Sequence, residues 1–275
     1  MLIPRALADE WRRESAWLSD LPQLAAECAE RWGLELEEPV DTPHSLVVPA
    51  GEVVLKLNAP SHFEADHEAD ALELWEGAGA VRLIARDDER RAIVCERCRP
   101  GTQLWDEVAE VQAEAVAGLL PRLRVEADRP HPFRLLADEA ERWAEELPRQ
   151  YASGGRPFEP SLLEFALDVF RSVDRGAAAL VNQDLHGGNV LQAGREPWLL
   201  IDPKPLVGEP ELDGVGLLRN AEPATVRRWL DVLAELGLDR DRLRGWGVAH
   251  ALAWGWDEDG WSPWAVETAR AIHAA

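Results

Sequence analysis

Hydrophobic residues in the first part of the chain recur with the period of an α-helix. This spacing extends from residue 5 to residue 33 and predicts a helical segment. Asp20 and Pro22 predict a break between two helices, with Asp20 as the N-cap of the second. Gly33 is placed to end that helix.

The pattern then changes to the short apolar runs that are typical of β-strands. The predicted strands are 34–37, which is weak, 45–48, 52–57, 81–85 and 92–95. Residues 60–76 return to the helical period and are followed by Gly77 and Gly79, which predicts one helix there. These elements predict a small antiparallel sheet with one helix between its third and fourth strands.

Residues 96–101 contain breaker residues and show no periodicity, so they are predicted to separate two lobes. Beyond them the pattern is mostly helical. Helices are expected at 104–120, 133–150, 160–175, 223–236, 240–256 and 263–274. The sequence therefore predicts an α+β fold with a small antiparallel sheet in an N-terminal lobe, residues 1–97, and a mostly α-helical C-terminal lobe, residues 98–275.

Two acids and an amide stand at fixed offsets in the second half of the chain. Asp184 and Asn189 share one polar loop, and Asp202 follows an apolar run. Residues 190–192 and 198–201 are predicted to pair as a hairpin, which would bring Asn189 and Asp202 to the same end. An amide and a carboxylate suit a hard cation such as Mg²⁺, and Asp184 could accept a proton from a hydroxyl. This layout fits phosphoryl transfer; the alternative is an ordinary loop with turn-forming residues.

Charge and composition narrow the partners. The chain of 275 residues carries 51 acids against 29 bases, a net charge of −22. No basic face is visible, which argues against nucleic-acid binding, and the acidity favours cationic partners or simply solubility. No apolar run is long enough to span a membrane. The three cysteines and the absence of a signal sequence suggest a cytoplasmic protein with reduced thiols. Cys95 and Cys98 have the spacing of a redox or zinc pair, but without a second pair plain thiols are favoured.

Only two of the 29 bases are lysines, Lys56 and Lys204. Lys56 ends an apolar strand, and Lys204 follows Asp202 by two residues. These positions suggest sites that need a compact ammonium and not a planar guanidinium. The alternative is chance survival of two lysines.

A cluster of acids flanked by tryptophans lies near the C-terminus. Its sequence is Trp256-Asp257-Glu258-Asp259-Gly260-Trp261. The acids and ring faces could receive the ammonium or guanidinium groups of a cationic small molecule. A solvated turn between helices is an equal alternative.

These pieces resemble the aminoglycoside/hydroxyurea antibiotic-resistance kinase family, a small-molecule branch of the protein-kinase-like fold that contains streptomycin 6-phosphotransferases. The matching segments lie between about residues 45 and 215. They are Val54-Leu55-Lys56, His67-Glu68-Ala69-Asp70-Ala71-Leu72, Gly79-Ala80-Val81-Arg82-Leu83, Glu96-Arg97 with Pro100-Gly101-Thr102, Asp184-Leu185-His186 with Gly188-Asn189-Val190-Leu191, and the run from Ile201 to Pro210. Asp202-Pro203-Lys204, in place of the Asp-Phe-Gly of protein kinases, is the most specific of them.

The resemblance implies a nucleotide site. Lys56 would hold the α- and β-phosphates of ATP, and Glu68 would orient Lys56 by an ion pair. The backbone from Glu96 to Cys98 would bind adenine.

The resemblance also implies the chemical roles. Asp184 would be the catalytic base, and Asn189 and Asp202 would bind Mg²⁺. His186 would fix the loop, and Asp213 would support it.

Two departures from the family pattern stand out. The usual His-Gly before the catalytic aspartate is Asn182-Gln183 here. The first hairpin, Thr42-Pro43-His44-Ser45, lacks the glycines that would let a loop lie over phosphates, so phosphate contact there would fall to Ser45 and backbone amides or be weak. These departures bear on acceptor choice and nucleotide affinity.

The expected function is transfer of the γ-phosphate of Mg-ATP to a hydroxyl of a small molecule, with an aminoglycoside such as streptomycin as the acceptor. One alternative is a housekeeping sugar or amino-sugar kinase. Another, from a different class, is a catalytically silent nucleotide-binding scaffold, although a decayed kinase would be expected to lack at least one of the central groups. The sequence leaves open the acceptor hydroxyl and whether the protein is a monomer or a homodimer.

Overall fold

The structure is a computed structural model that describes residues 2–127, 130–257 and 260–275. The chain divides into two compact units. The first comprises Met1–Thr102 and Gln192–Asp202, and the second comprises Gln103–Leu191 and Pro203–Ala275. The division after Thr102 lies next to residues 96–101, the stretch of breaker residues, and Gln192–Asp202 belongs to the first unit although it comes late in the chain. The lobe bounds of 1–97 and 98–275 remain a prediction.

The first unit is built on a four-stranded antiparallel sheet in the order β1-β2-β4-β3. Its strands are β1 (Ser45–Ala50), β2 (Val53–Asn58), β3 (Leu83–Asp87) and β4 (Ala92–Glu96). Gly51, with φ of 64°, makes the turn between β1 and β2, a conformation that glycine adopts without strain. In the sheet, β2 lies between β1 and β4, and Lys56 pairs with Val47 and Ile93.

Two helices, α1 (Arg5–Glu10) and α2 (Ser15–Trp32), precede the sheet and share its core. The break predicted at Asp20 and Pro22 is wrong, because α2 runs through both residues. Pro22 costs the helix one backbone hydrogen bond. Burial of the neighbouring Leu21 against the sheet outweighs that loss. Gly33 ends α2 with φ of 63°, as predicted.

The segment before the third strand also differs from the prediction. A 3₁₀ turn at Phe63–Ala65 precedes α3 (Glu68–Trp75), so the single helix expected over 60–76 is wrong in its first half. His67 has φ of 66°, and this left-handed residue separates the two pieces. Residues 34–37 form no strand, since Glu37 makes one backbone bond to Pro49 without a ladder. The helix α3 therefore lies between the second and third strands.

The predicted hairpin after the polar loop is confirmed. Its strands are β7 (Val190–Gln192) and β8 (Trp198–Leu200), which form a two-stranded sheet. The Leu200 N–H donates to Gly79 O at 2.9 Å, and the Val81 N–H donates to Leu200 O at 3.0 Å. These bonds join the end of β8 to the loop after α3, within the first unit.

The second unit is mostly helical. Its helices are α4 (Ala109–Leu123), α5 (Leu136–Ser153), α6 (Pro160–Arg171), α7 (Val215–Arg219), α8 (Val226–Glu235), α9 (Arg240–Ala253) and α10 (Pro263–Ala274). The helix α9 is central, packing against α6, α7, α8 and α10, and its Trp246 is fully buried. The short α7 was not predicted. None of the helices in the described ranges is both long and apolar enough to span a bilayer.

A three-stranded antiparallel sheet in this unit carries the polar loop. It consists of β5 (Val125–Glu126), β6 (Ala179–Asn182) and β9 (Pro205–Gly208), in the order β5-β6-β9. Because Asn182 pairs with Pro205, the residues after β6 and before β9 meet at one end of the sheet. A small hairpin, β10 (Trp256–Asp257) and β11 (Gly260–Trp261), precedes α10. The predicted α+β architecture is confirmed.

Candidate active site

Lys56 lies at the centre of a buried ion cluster in the first unit. Its Nζ contacts both Glu68 carboxylate oxygens, at 2.8 and 2.7 Å, and Asp202 Oδ1 at 2.6 Å. Burial alone would lower the pKa of Lys56, but the carboxylates of Asp202 and Glu68 outweigh it and hold that pKa above its ordinary value. The ammonium therefore stays charged and is aimed by two carboxylates.

Polar residues at the sheet edge extend this cluster. Asn58 Nδ2 lies 3.4 Å from Glu68 Oε2, and Ser45 Oγ donates to Asn58 Oδ1 at 2.5 Å. Ser45 is only 4% exposed. The phosphate contact suggested for Ser45 is therefore not supported, because its hydroxyl is buried and bonded within the sheet.

Asp202 ends the segment that joins the first unit, and its φ is 49°. A left-handed conformation at a non-glycine residue is uncommon and marks a position held by its surroundings. Here the contacts of Leu200 and the ion pair with Lys56 provide that support. The Asp202 side chain is 25% exposed, compared with 4% for Glu68, so Asp202 is the more accessible of the two carboxylates.

The stretch from Glu96 to Cys98, predicted to bind adenine, begins at the last residue of β4. The Glu96 and Arg97 N–H groups donate to Arg82 O and Glu52 O, at 2.9 and 3.0 Å. Within the described ranges no hydrogen bond is found for the Cys98 N–H. Burial raises the pKa of the Cys98 thiol to about 12, so the thiol is neutral. The Cys98 amide is therefore the donor in this stretch that remains for a ligand.

In the second unit, the loop after β6 is held by Asn182. Its side-chain Oδ1 accepts the backbone N–H groups of Asp184 and Lys204, at 3.1 and 2.9 Å. Its own backbone N–H donates to Asp213 Oδ1 at 2.7 Å. Asp213 thus supports the loop, as the resemblance implied, and burial raises the Asp213 pKa to about 7.

Asp184 is 5% exposed and lies against two cations. Arg219 Nη2 donates to Asp184 Oδ1 at 2.5 Å, and Lys204 Nζ donates to Oδ2 at 3.1 Å. Asn189 Nδ2 donates to the same Oδ2 at 3.2 Å, and His186 Nε2 lies 3.7 Å from Oδ1. Both carboxylate oxygens therefore have fixed positions.

His186 has a structural role in the loop. Its Nδ1 accepts the Gly188 N–H at 3.0 Å, and its ring stacks on Trp105 with centroids 5.3 Å apart. A Cβ on Gly187 would lie 2.8 Å from the backbone nitrogen of Trp105, so this position requires glycine. A Cβ on Gly188 would lie 2.6 Å from the end of the Trp105 indole, which would have to move. The packing of Trp105 explains the two glycines of the motif.

The donor chemistry of Asn189 and Asp202 fits Mg²⁺. Asn189 uses its Nδ2 for both hydrogen bonds to Asp184, so its amide oxygen is the atom oriented for a cation. Asp202 offers a carboxylate, and oxygen ligands of this kind, completed by phosphates and water, are what Mg²⁺ prefers. The described residues contain no cluster of three or more His, Cys, Asp or Glu able to hold a metal.

A cavity of about 240 Å³ borders the same loop within the second unit. His186 and Gly187 line it on one side, and Trp105, Glu222 and Trp229 line it elsewhere. It combines aromatic faces, an acid and polar groups, which are the features of a small-molecule site.

The acidic cluster near the C-terminus lies only partly within the described residues. Glu258 and Asp259 lie outside the described residues, and Asp257 is exposed. Trp261 Nε1 donates to Gln150 O, and a Cβ on Gly154 would clash with both Trp256 and Trp261. These tryptophans pack against the end of α5, which leaves them a structural role.

Several residues around Asp184 had no signal in the sequence. Arg219 is one of 27 arginines, and nothing marked it before α7 placed it beside Asp184. Trp254 and His250 lie on or next to a predicted helix, and their sequence context does not distinguish them from core residues. The departure from the family pattern at Asn182-Gln183 is the one sequence feature that points to this cluster, because Gln183 contacts His250.

A charged lysine aimed by a helix glutamate, and a buried aspartate in the loop after a strand, define an ATP-dependent phosphotransferase of protein-kinase-like fold. The sequence matches the aminoglycoside/hydroxyurea antibiotic resistance kinase family over residues 31–260, and the chain belongs to that family. It is an ATP-dependent small-molecule kinase, as the sequence indicated.

Two relatives and one solved structure illustrate the likeness. The chain is 34% identical to streptomycin 6-kinase of Streptomyces glaucescens, covering 98% of this chain and 96% of that protein. It is 35% identical to hydroxyurea phosphotransferase of Kitasatospora aureofaciens, covering 86% and 72%. Choline kinase LicA from Streptococcus pneumoniae has the same fold, with a TM-score of 0.68, 13% identity and coverage of 93% and 99%.

Proposed function

We propose that this protein transfers the γ-phosphate of ATP to a hydroxyl of a streptomycin-like aminoglycoside. The observation that carries the proposal is the 34% identity to a streptomycin 6-kinase over 98% of the chain. The net charge of −22 agrees with a polycationic acceptor. The proposal includes a cytoplasmic location.

In this proposal the first unit supplies the nucleotide groups. Lys56, aimed by Glu68, neutralises the α- and β-phosphates, and the Cys98 amide binds adenine. Asp202 is a proposed ligand of Mg²⁺, which when bound neutralises charge on the phosphates, and Asn189 of the second unit is proposed as another. Asp202 also pairs with Lys56 at 2.6 Å, which supports a shared role in holding the phosphates.

Asp184 is the proposed catalytic base. Its carboxylate accepts the proton of the acceptor hydroxyl as that oxygen attacks the γ-phosphorus. The bond between the γ-phosphorus and the β,γ-bridging oxygen breaks, and ADP leaves. Lys204 and Arg219 place two positive charges against the carboxylate and offset its repulsion of the phosphoryl group. Because the transition state of such transfers is loose, the main contribution of the base is the position of the nucleophile.

We place the acceptor in the cavity beside His186. Trp105 and Trp229 offer aromatic faces there, and Glu222 offers a negative charge for an ammonium or guanidinium group. The catalytic loop forms part of the wall, so an acceptor in this cavity lies next to the residues around Asp184. The cluster at residues 256–261 is not needed for this placement.

The test is a phosphotransfer screen with radiolabelled ATP and Mg²⁺ over streptomycin, hydroxyurea, an amino sugar and a neutral sugar. We expect efficient transfer to streptomycin, and loss of turnover by about 10²–10⁴-fold in Asp184→Asn, the usual span for a positioned base. Nucleotide binding by Asp184→Asn should remain. Preferred transfer to a neutral sugar would refute the acceptor class. Nucleotide binding without transfer to any acceptor would favour the silent scaffold.

Hydroxyurea is a second candidate acceptor. It is favoured by the 35% identity to a hydroxyurea phosphotransferase. Hydroxyurea is small and uncharged, so its phosphorylation should be insensitive to salt, whereas a polycation steered by an acidic protein should react more slowly as ionic strength rises. Comparing kcat/KM for the two acceptors at low and high salt separates the candidates.

A further inference from the structure

Arg219 ends α7 with its side chain directed at the candidate base. Its Nη2 lies 2.5 Å from Asp184 Oδ1, and the side chain is only 14% exposed. The guanidinium lies over the indole of Trp254, 4.3 Å from the ring centroid. A buried arginine with one carboxylate and one aromatic face is fixed in both direction and plane.

A buried histidine provides the third contact. His250 Nδ1 lies 3.4 Å from Arg219 Nη1, and His250 Nε2 lies 3.4 Å from Gln183 Oε1. Burial, followed by the charge of Arg219, lowers the pKa of His250 well below its ordinary value, so the imidazole is neutral. A neutral imidazole can accept from Arg219 at Nδ1 and donate to Gln183 from Nε2. Both contacts are satisfied by one tautomer.

The imidazole itself is held by aromatic rings. Its centroid lies 4.7 Å from that of Trp254 and 5.5 Å from that of Trp143, and the residue has no exposed surface. Trp254 therefore touches both Arg219 and His250. We call this group the arginine support; it consists of Gln183, His250, Trp254 and Arg219.

We propose that Arg219 is a positioning residue for the catalytic base Asp184, and that Gln183, His250 and Trp254 hold Arg219 in place. This inference rests on the proposed function. It gives a role to Gln183, one of the two residues at which this chain departs from the family pattern. The other, Asn182, holds the backbone of the same loop.

The contacts explain why positioning is the expected role. Lys204 and Asn189 fix Asp184 Oδ2, and Arg219 fixes Oδ1, so the carboxylate cannot rotate about its Cβ–Cγ bond without breaking a contact. A hydroxyl that donates to this carboxylate then has one direction of approach. A displacement of about 1 Å can cost 10²-fold in rate. Holding the carboxylate in one plane therefore helps to keep the rate of transfer high.

The arginine support also balances charge. Lys204 and Arg219 place two positive charges on one buried carboxylate. An unpaired aspartate there would repel the incoming phosphoryl group and would be costly to keep ionised. Lysine at position 219 would keep the charge but lose the planar fork that meets Asp184, His250 and Trp254 together.

The experiment uses Arg219→Lys and Arg219→Ala, with Arg244→Ala as the matched control. Arg244 also lies on an aromatic ring, that of Phe165, but its Nη1 bonds to His273 O and does not touch Asp184. We expect kcat per folded enzyme to fall about 10²-fold in both Arg219 variants, with KM for ATP nearly unchanged. The melting temperature should change little in Arg219→Lys, which keeps the charge, and should fall in Arg219→Ala, which removes it. Guanidinium ion at millimolar concentration should restore part of kcat in Arg219→Ala only. Gln183→Leu should lower kcat by a smaller factor, about tenfold.

Three outcomes would overturn the inference. The first is that the wild type is active and Arg219→Lys has the same kcat. The second is a loss of kcat that follows the loss of folded protein. The third is equal loss in Arg244→Ala. A wild type that phosphorylates no acceptor would instead refute the proposed function, so the two failures are distinguishable.

Discussion

At the scale of single residues, two buried charges of the candidate site each lie between two opposite charges. Lys56 lies between Glu68 and Asp202, and Asp184 lies between Lys204 and Arg219. Removing one partner leaves the buried charge with a single opposite charge, which destabilises the fold; a buried charge left with none costs typically about 3–5 kcal/mol. The site therefore restricts the shape of each buried cation as well as its charge.

Lys56→Arg tests that restriction. A guanidinium is larger and planar, so it cannot take the place of an ammonium that contacts three carboxylate oxygens at 2.6–2.8 Å. We expect a folded protein whose phosphotransfer falls by about 10²-fold or more, as for loss of a positioned charge. Steady-state kinetics and thermal unfolding measure the two effects. Arg86→Lys, an ion-paired arginine of the same unit, is the control, and near wild-type turnover in Lys56→Arg would refute the role.

Asp213 gives stability a dependence on pH. Its pKa is raised to about 7 by burial, and an unfolded aspartate titrates near 3.8. Between these values the folded state holds a proton that the unfolded state has lost, so stability falls as pH rises, by about 1.4 kcal/mol per pH unit. The contribution is fully present below about pH 4 and lost above about pH 7.

As the pH rises from 5 to 8, we therefore expect the free energy of unfolding of Asp213→Asn to increase relative to that of the wild type. The free energy of unfolding in urea at both pH values measures the difference. Asp168→Asn, at an exposed helical position, should show no such trend. An offset between Asp213→Asn and the wild type that is the same at both pH values would contradict the assignment.

Residues that act through a motif could be found from the sequence, and residues that act through packing could not. Lys56 and Asp184 stand at offsets that the chemistry requires, and the structure places each in a buried charge cluster. Arg219 reaches Asp184 from a helix that begins 31 residues after it, at Val215, and its partner His250 lies on α9. Such contacts depend on how α7 and α9 pack, which no local pattern encodes.

At the scale of elements, the first unit depends on a turn that comes late in the chain. Arg195, between β7 and β8, donates from Nε to Glu96 Oε1 at 2.9 Å and from Nη1 to Gly77 O at 2.8 Å. A third bond joins Nη2 to Ala80 O at 2.9 Å. Burial would raise the pKa of Glu96, but the bonds from Arg195 outweigh it and lower that pKa. One arginine thus joins the segment that carries Asp202 to the end of β4.

Arg195→Gln should weaken nucleotide binding selectively. Without the guanidinium, Glu96 and the carbonyls of Gly77 and Ala80 lose a shared donor, and the position of Asp202 is less well defined. We expect KM for ATP to rise about tenfold, equivalent to about 1.4 kcal/mol, with a smaller ATP-dependent rise in melting temperature. Arg99→Gln, which removes an exposed arginine from the same unit, is the control. A change confined to the acceptor KM would refute the assignment.

The elements that sequence patterns predicted wrongly were those in which tertiary contacts outweigh local signals. Pro22 predicted a helix end but lies inside α2, because neighbouring apolar residues are buried against the sheet. His67 interrupts a stretch whose periodicity suggested one continuous helix. Its left-handed backbone lets α3 begin at Glu68, the partner of Lys56, and propensity alone gives no reason for that start.

At the scale of the whole molecule, the excess of acids affects the encounter with an acceptor. A net charge of −22 on 275 residues attracts cations from a distance. If the acceptor binds in the proposed cavity, the final selection depends on charges within it. Glu222 lines the cavity and Asp257 does not, although both are exposed acids of the second unit.

Glu222→Gln and Asp257→Asn therefore form a matched pair with the same change of net charge. We expect KM for streptomycin to rise about tenfold in Glu222→Gln and to change less than about twofold in Asp257→Asn, since only a close charge is worth about 1 kcal/mol or more. High salt should reduce kcat/KM for streptomycin in all three proteins. Equal effects of the two substitutions would refute the cavity as the acceptor site.

The first unit is discontinuous in sequence, because Gln192–Asp202 completes a body that otherwise ends at Thr102. During synthesis the ribosome makes the sheet, the helices α4 to α6 and the Asp184 loop before it makes Arg195 and Asp202. Until then Lys56 has Glu68 but lacks Asp202, and Glu96 lacks Arg195. We therefore expect a nascent chain arrested before residue 192 to leave the first unit protease-sensitive. An arrest well past residue 202 should protect it, so that nucleotide-binding competence appears only after Gln103–Leu191 of the second unit has been translated.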